Sequence, residues 1–135
     1  MGSALCGSKA FIAKAHRLRK MAGGGMRQAG FMAAAASYAL DHHVVRLAKD
    51  HELMQYLAQS LSGIPGLQFE APQTNILFID LVGEAKAKGA ALQAHLKQAG
   101  IDVTGLYRLR LVTHLDVDRT GIDRTIAAIR QFFQA

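Results

Sequence analysis

Aspartate and glutamate are missing from the first forty residues; the first acid is Asp41. The same stretch carries Lys9, Lys14, Arg17, Arg19, Lys20 and Arg27, whereas residues 28–135 balance ten basic against ten acidic side chains. The whole net charge of +6 therefore lies in the first fifth of the chain. Cysteine is nearly absent too: Cys6 stands alone, so no intrachain disulfide can form, and a reducing compartment, the cytoplasm, is the default. There is no apolar run of the roughly 18 residues that a spanning helix needs, which excludes a helical membrane span. Half of the 135 residues are hydrophobic, too many for a disordered chain and enough for one domain with a real core.

Periodicity orders the chain into three helices, followed by strand, helix, strand, strand and helix. Residues 2–7, small and apolar, suit a short strand. Ser8 suits the N-cap of a helix over 9–21, with Phe11, Ile12, Ala15 and Leu18 on one face and Lys and Arg on the other. Gly23-Gly24-Gly25 breaks it, and a second helix is expected from about Met26 to Asp41. That helix is apolar nearly all round, the pattern of a buried element, and alone it would expose an apolar patch. Val44, Leu47, His51, Met54, Ala58 and Leu61 mark a third helix, ended by breakers at 62–66. Whether residues 42–43 bend one long helix or break it stays open.

Beyond that point the period changes. Residues 75–81 read as a strand buried on both faces. Residues 85–98 read as a helix with Leu92 and Leu96 in the core, 101–103 as a short strand, and 108–113 as a half-exposed strand. Asp118 should cap a last helix whose stripe is Ile122, Ile126, Ile129 and Phe133. The fold class is α+β, a small antiparallel sheet with packed helices.

Two places suit an anion. Gly23 to Arg27 would expose backbone N–H groups ahead of a helix start, where the dipole favours negative charge and Arg27 adds a phosphate-binding fork. The same run also serves as a plain interhelix loop. Arg108 and Arg110, two apart on a strand, point to one face, which suits a carboxylate or phosphate, or is simply a solvated strand face. No pair of the six histidines has zinc-site spacing, so no metal site is expected; His51 reads as a core or interface histidine and Cys6 as a small buried residue. The basic segment 9–20 suits nucleic acid or a transit peptide. Only Phe11 interleaves with its cations, on the apolar side, and the following helix offers no cleavage context.

GSALCGSKAFIAKAHRLRKMAGGGMRQAG at 2–30, QTNILFIDL at 73–81 and RLVTHLDV at 110–117 together resemble the C-terminal part of low-specificity L-threonine aldolases. These are pyridoxal-phosphate-dependent lyases of the aminotransferase-like fold type I. The resemblance runs almost from end to end of the chain. It implies that residues 1–41 are a remnant of the large cofactor-binding domain and 42–135 the small C-terminal α+β domain. It implies that Arg27 contacts the cofactor phosphate, that Lys20 lies close to the phosphate and a subunit contact, and that Arg110 holds the substrate α-carboxylate. Arg108 competes with Arg110 by strand parity, and the motif selects Arg110.

The family's Schiff-base lysine is expected upstream of the glycine that matches Gly2, and Lys9, Lys14 and Lys20 do not match it. No residue of the chain is therefore expected to be catalytic, and the chain alone is expected to be inactive. The parent reaction would be retro-aldol cleavage of L-threonine or L-allo-threonine to glycine and acetaldehyde, in a homo-oligomer with a small amino-acid substrate and neither nucleic acid nor membrane as partner. The competing reading is a non-catalytic basic binding or assembly module, or a pseudogene remnant.

Overall fold

The computed structural model describes residues 4–134. They divide into two units, Met1–Val45 and Arg46–Ala135. The first holds α1 (Lys9–Met21) and α2 (Gly30–His42). The second holds α3 (Leu47–Leu61), β1 (Leu67–Gln68), β2 (Ile76–Leu81), a 3-10 helix (Gly83–Lys88), α4 (Gly89–Gln98), β3 (Arg108–Val112) and α5 (Arg119–Gln134).

In the first unit, the Ser8 hydroxyl accepts from the Phe11 N–H at 3.3 Å and starts α1 where the cap chemistry places it. Its apolar side stays open: Phe11 and Leu18 are exposed, Ile12 and Ala15 only half-buried. No strand forms over 4–7, and residues 2 and 3 of that expectation lie outside the described residues. Cys6 is exposed, not buried, because no element packs over this extended segment. α2 begins at Gly30, later than expected, because Gln28 turns the chain through a left-handed φ of 51° just before it. Neither helix has a fully buried residue; Phe31, Tyr38 and Leu40 of α2 are all exposed. Turn residues 43–46 separate α2 from α3, so the 42–43 region ends one helix before the next begins.

The second unit is a three-stranded antiparallel sheet in the order β1-β2-β3 with helices on one face. Its core joins Met54, Leu57 and Leu61 of α3, Leu77, Ile79 and Leu81 of β2, Leu92 and Leu96 of α4, Leu109 and Leu111 of β3, and Ile122, Ile126 and Ile129 of α5. α5 packs against both α3 and α4. Its start is fixed locally: the Asp118 carboxylate accepts from the Gly121 N–H at 2.8 Å.

Three expectations need correction here. β2 is buried on one face only, because all the helices lie on the Leu77–Ile79–Leu81 side and leave Phe78 outside at 43% exposure. Residues 101–103 form no strand; the chain instead makes a single bridge from Thr104 to Arg110, next to Gly105, whose φ is +88°. The predicted helix at 85–98 opens as the 3-10 turn Gly83–Lys88 and becomes α-helical only from Gly89. A Cβ at Gly89 would collide with the Leu106 carbonyl, so that close approach needs glycine.

Candidate functional site

Each of the two anion-suited places lies within a single unit. In the first, α1 ends in a glycine-dependent reversal. The Gly24 N–H donates to the Arg19 carbonyl at 2.8 Å and the Gly23 N–H to the Lys20 carbonyl at 3.2 Å, with Gly23 at φ +81°. This paired pattern closes a helix around a left-handed residue, which glycine adopts without strain. The reversal brings Gly25 under the Lys20 side chain: a Cβ there would lie 3.0 Å from Lys20 Nζ and 2.9 Å from its Cδ. The Lys20 ammonium is thus laid against bare backbone.

Arg27 follows, exposed, and α2 starts soon after with no side-chain cap and no acid in its first turn. The positive end of α2, the Arg27 guanidinium and the Lys20 ammonium on the glycine loop form one cationic segment. Among the described residues no carboxylate pairs with either side chain. The Gly23 and Gly24 N–H groups, expected to stand open to an anion, are instead spent on closing α1, so the donors left for a phosphate are the two cations and the start of α2. These fit the phosphate end of pyridoxal phosphate. The Lys20 ammonium is committed to this same loop, so the segment offers no separate lysine to anchor an aldehyde end.

In the second unit, Arg110 sits on the helix-free face of β3, directly across from Phe78 of β2, and Arg108 sits across from Asp80. Arg108 is engaged: its Nε lies 3.7 Å from Asp80 Oδ1 and its guanidinium 4.9 Å from the Phe78 ring centroid. Arg110 is exposed, and among the described residues no carboxylate pairs with it. Its backbone is held on both sides, by β2 and by the Arg110 N–H donating to the Thr104 carbonyl at 2.8 Å. A side chain on a doubly paired strand projects from a fixed base, which suits it to hold a ligand carboxylate.

Sequence reasoning did not find the groups that shape this face. Asp80 and Phe78 become neighbours of the arginines only through strand register, which has no local signal. Nor did it find the pair under the end of β3, where Arg46 donates to the buried Asp50 carboxylate at 2.7 and 3.0 Å. The Thr113 hydroxyl donates to the Asp50 carbonyl at 2.7 Å and ties β3 to α3. On the outer face of α5, Arg119 stacks 3.4 Å from the Tyr56 ring centroid, while Asp123 accepts from both Tyr56 and Arg119. The Tyr56 contact, ahead of Asp123, raises the Arg119 pKa above its ordinary value, and the group stays charged at any physiological pH.

A cavity of about 420 Å³ lies between an apolar floor of Met54, Leu57 and Leu111 and a rim that includes His114, Asp116 and Asp118. One of its acids is already engaged, Asp118 as the cap of α5, and His114 Nδ1 accepts from the Asp116 main-chain N–H at 3.3 Å. Among the described residues, no helix is long and apolar enough to cross a membrane, and no three metal-ligating side chains gather.

Comparison with known proteins places the chain in a family. The model of the beta-eliminating lyase family matches residues 1–84. The low specificity L-threonine aldolase of Escherichia coli K12 is 42% identical over 132 residues, which is 98% of this chain and 38% of that enzyme. Low-specificity L-threonine aldolase 1 of Arabidopsis thaliana is 33% identical over 135 residues, 97% of this chain and 38% of that protein. The chain thus spans about 38% of the length of these relatives. A transaminase solved with L-alanine superposes with a TM-score of 0.61 at 17% identity, over 76% of this chain and 26% of that one. That likeness speaks to the fold: an α+β part of an aminotransferase-like, fold type I architecture.

Proposed function

The chain belongs to the beta-eliminating lyase family, and on that premise we propose that it is the C-terminal portion of a threonine-aldolase-like lyase. The reaction is retro-aldol cleavage of L-threonine or L-allo-threonine to glycine and acetaldehyde. The observation that carries this reading is the nearly end-to-end match to enzymes of that name. In this reading residues 1–41 belong to the large cofactor-binding domain and 42–135 form the small C-terminal domain.

When bound, pyridoxal phosphate supplies the electron sink for breaking the Cα–Cβ bond. Arg27 and Lys20 bind its phosphate, Arg27 as a two-pronged donor and Lys20 as a point charge held on the glycine loop. Arg110 binds the substrate α-carboxylate and so fixes the direction in which the Cα–Cβ bond points. Positioning of this kind lowers the entropic part of the barrier. We assign no proton transfer and no catalytic residue to this chain, since none of its lysines matches the family's cofactor anchor.

The apolar side chains left open on α2 fit a homo-oligomer, in which a second copy covers them. The single cysteine fits a reducing, cytoplasmic location.

The test is a chimera in which residues 1–135 replace the matching 38% of the Escherichia coli enzyme. It should bind pyridoxal phosphate and release acetaldehyde from L-threonine, and Arg110→Ala should abolish the release. A chimera that folds and binds the cofactor yet releases no acetaldehyde overturns the reading. Residues 1–135 supplied alone with cofactor and threonine should release none.

A further inference from the structure

Two arginines two residues apart on one strand look equivalent, yet the register treats them differently. Asp80 lies directly across from Arg108 and one step diagonally from Arg110. Directly opposed Cβ atoms are about 5 Å apart and diagonal ones about 7–8 Å, so a long guanidinium side chain at either position can reach the Asp80 carboxylate. Arg108 takes it, at 3.7 Å, and the same guanidinium lies over Phe78, the residue directly across from Arg110. Among the residues of the three strands the charged ones are Arg108, Arg110 and Asp80, and Asp80 is occupied. The uncompensated charge remains on Arg110.

We propose that Arg108 is a positioning residue: by holding Asp80 and covering Phe78, it keeps Arg110 free for a ligand carboxylate. This rests on the reading of Arg110 as the carboxylate-binding group. Were Arg108 neutral, Asp80 would be the strand carboxylate left for Arg110. It would then compete with substrate from within the protein, where its effective concentration exceeds that of a dissolved ligand. The pairing is solvent-exposed and modest, so the expected effect is also modest.

The experiment follows the arginine Nε–H resonances of the full chain, labelled with ¹⁵N-arginine. Arg110 is assigned by the signal lost in Arg110→Lys. Without ligand, Arg108→Gln should shift the Arg110 resonance as Asp80 turns to it, and Arg108→Gln with Asp80→Asn should return it. Asp80→Asn alone should leave it where it is. On titration with glycine, whose carboxylate is the probed group, Arg108→Gln should weaken the Arg110 response roughly two- to fivefold, as an exposed pair of this kind allows, and the double variant should restore it. 2-Aminoethanol, which lacks the carboxylate, should give no response.

A simple loss of sheet stability in Arg108→Gln would not be rescued by removing a second charge. An Arg110 resonance that is the same in wild type and Arg108→Gln overturns the proposal, as does a shift that Asp80→Asn fails to reverse. If the ligand-free shifts appear as described but glycine leaves wild-type Arg110 unmoved, the positioning stands and the carboxylate-binding reading falls.

Discussion

The Arg46–Asp50 pair gives the sharpest test of how the second unit is held together. Asp50 is 2% exposed and Arg46 26%, and two charge-assisted hydrogen bonds of 2.7 and 3.0 Å join them one turn apart at the start of α3. Replacing Arg46 by Met keeps most of the aliphatic stem and removes the guanidinium, so the buried carboxylate loses its donors. A fully buried pair broken in this way costs about 3–5 kcal/mol. Here the guanidinium side is partly open, so water can reach the carboxylate, and about 2–3 kcal/mol is the better figure.

The comparison that isolates the charge is Arg46→Met with Asp50→Leu. It removes both ions and leaves the Asp50 main-chain carbonyl, to which Thr113 donates, untouched. That double variant should recover at least half of the loss. The assay is urea unfolding followed by the amide signals of β2. At a slope of about 1–2 kcal/mol/M, the single variant should lower the midpoint by about 1 M or more. A loss in Arg46→Met below about 0.5 kcal/mol, the range of ordinary surface changes, would refute the reasoning. So would a double variant less stable than the single, because the cost would then lie in packing and not in the orphaned charge.

Leu96→Ala, at a fully buried position of α4, should cost about 2–5 kcal/mol in the same urea assay. Asp118→Ala removes the cap of α5 and should cost about 1 kcal/mol, with loss of hydrogen-exchange protection at the Gly121 amide. Gly25→Ala puts a methyl group 3.0 Å from Lys20 Nζ, so the ammonium must leave the loop; pyridoxal phosphate titrated into the chimera should bind about fivefold more weakly. Unchanged affinity there would remove Lys20 from the proposed phosphate site.

What could be read from the sequence was what is encoded locally. α5 carries its cap at Asp118 and its stripe at Ile122, Ile126 and Ile129 in adjacent residues, and all of these act as expected. The strand at 108–112 alternates in sequence and alternates in burial. Leu92 and Leu96 lie in the core as their spacing implies. What escaped depends on partners far along the chain. Residues 101–103 have strand composition, but β3 already pairs with β2, and only Thr104 meets it on the other side. The apolar run in β2 resembled a two-sided strand because composition does not reveal that every helix of this unit packs on one face. A buried Asp50 is also invisible in sequence, since an i,i+4 Arg–Asp pair is more often a solvated one.

The candidate site shows the same division. Its glycine loop was legible as a helix end because helix, glycine run and arginine are consecutive, but that the Gly23 and Gly24 N–H groups would close α1 instead of standing open was not. The distinction between Arg108 and Arg110 rested on the motif alone, because strand parity leaves the arginines alike until Asp80 is set opposite one of them. This bears on the meaning of the +6 charge. A chain whose cations all faced solvent unpaired would behave as a polyelectrolyte, and its affinity for any polyanion would fall steeply with salt. In the second unit three of the nine acids face specific arginines: Asp50 faces Arg46, Asp80 faces Arg108 and Asp123 faces Arg119. That pairing leaves single cations, Arg110 foremost, at defined places. In the first unit the only acid is Asp41, and the side chains of Arg19 and Lys20 lie against Gly24 and Gly25. Charge in this protein is therefore divided: pairing within the second unit leaves Arg110 as a directed donor on β3, while the exposed cations of α1, without a carboxylate partner among the described residues, remain a basic face.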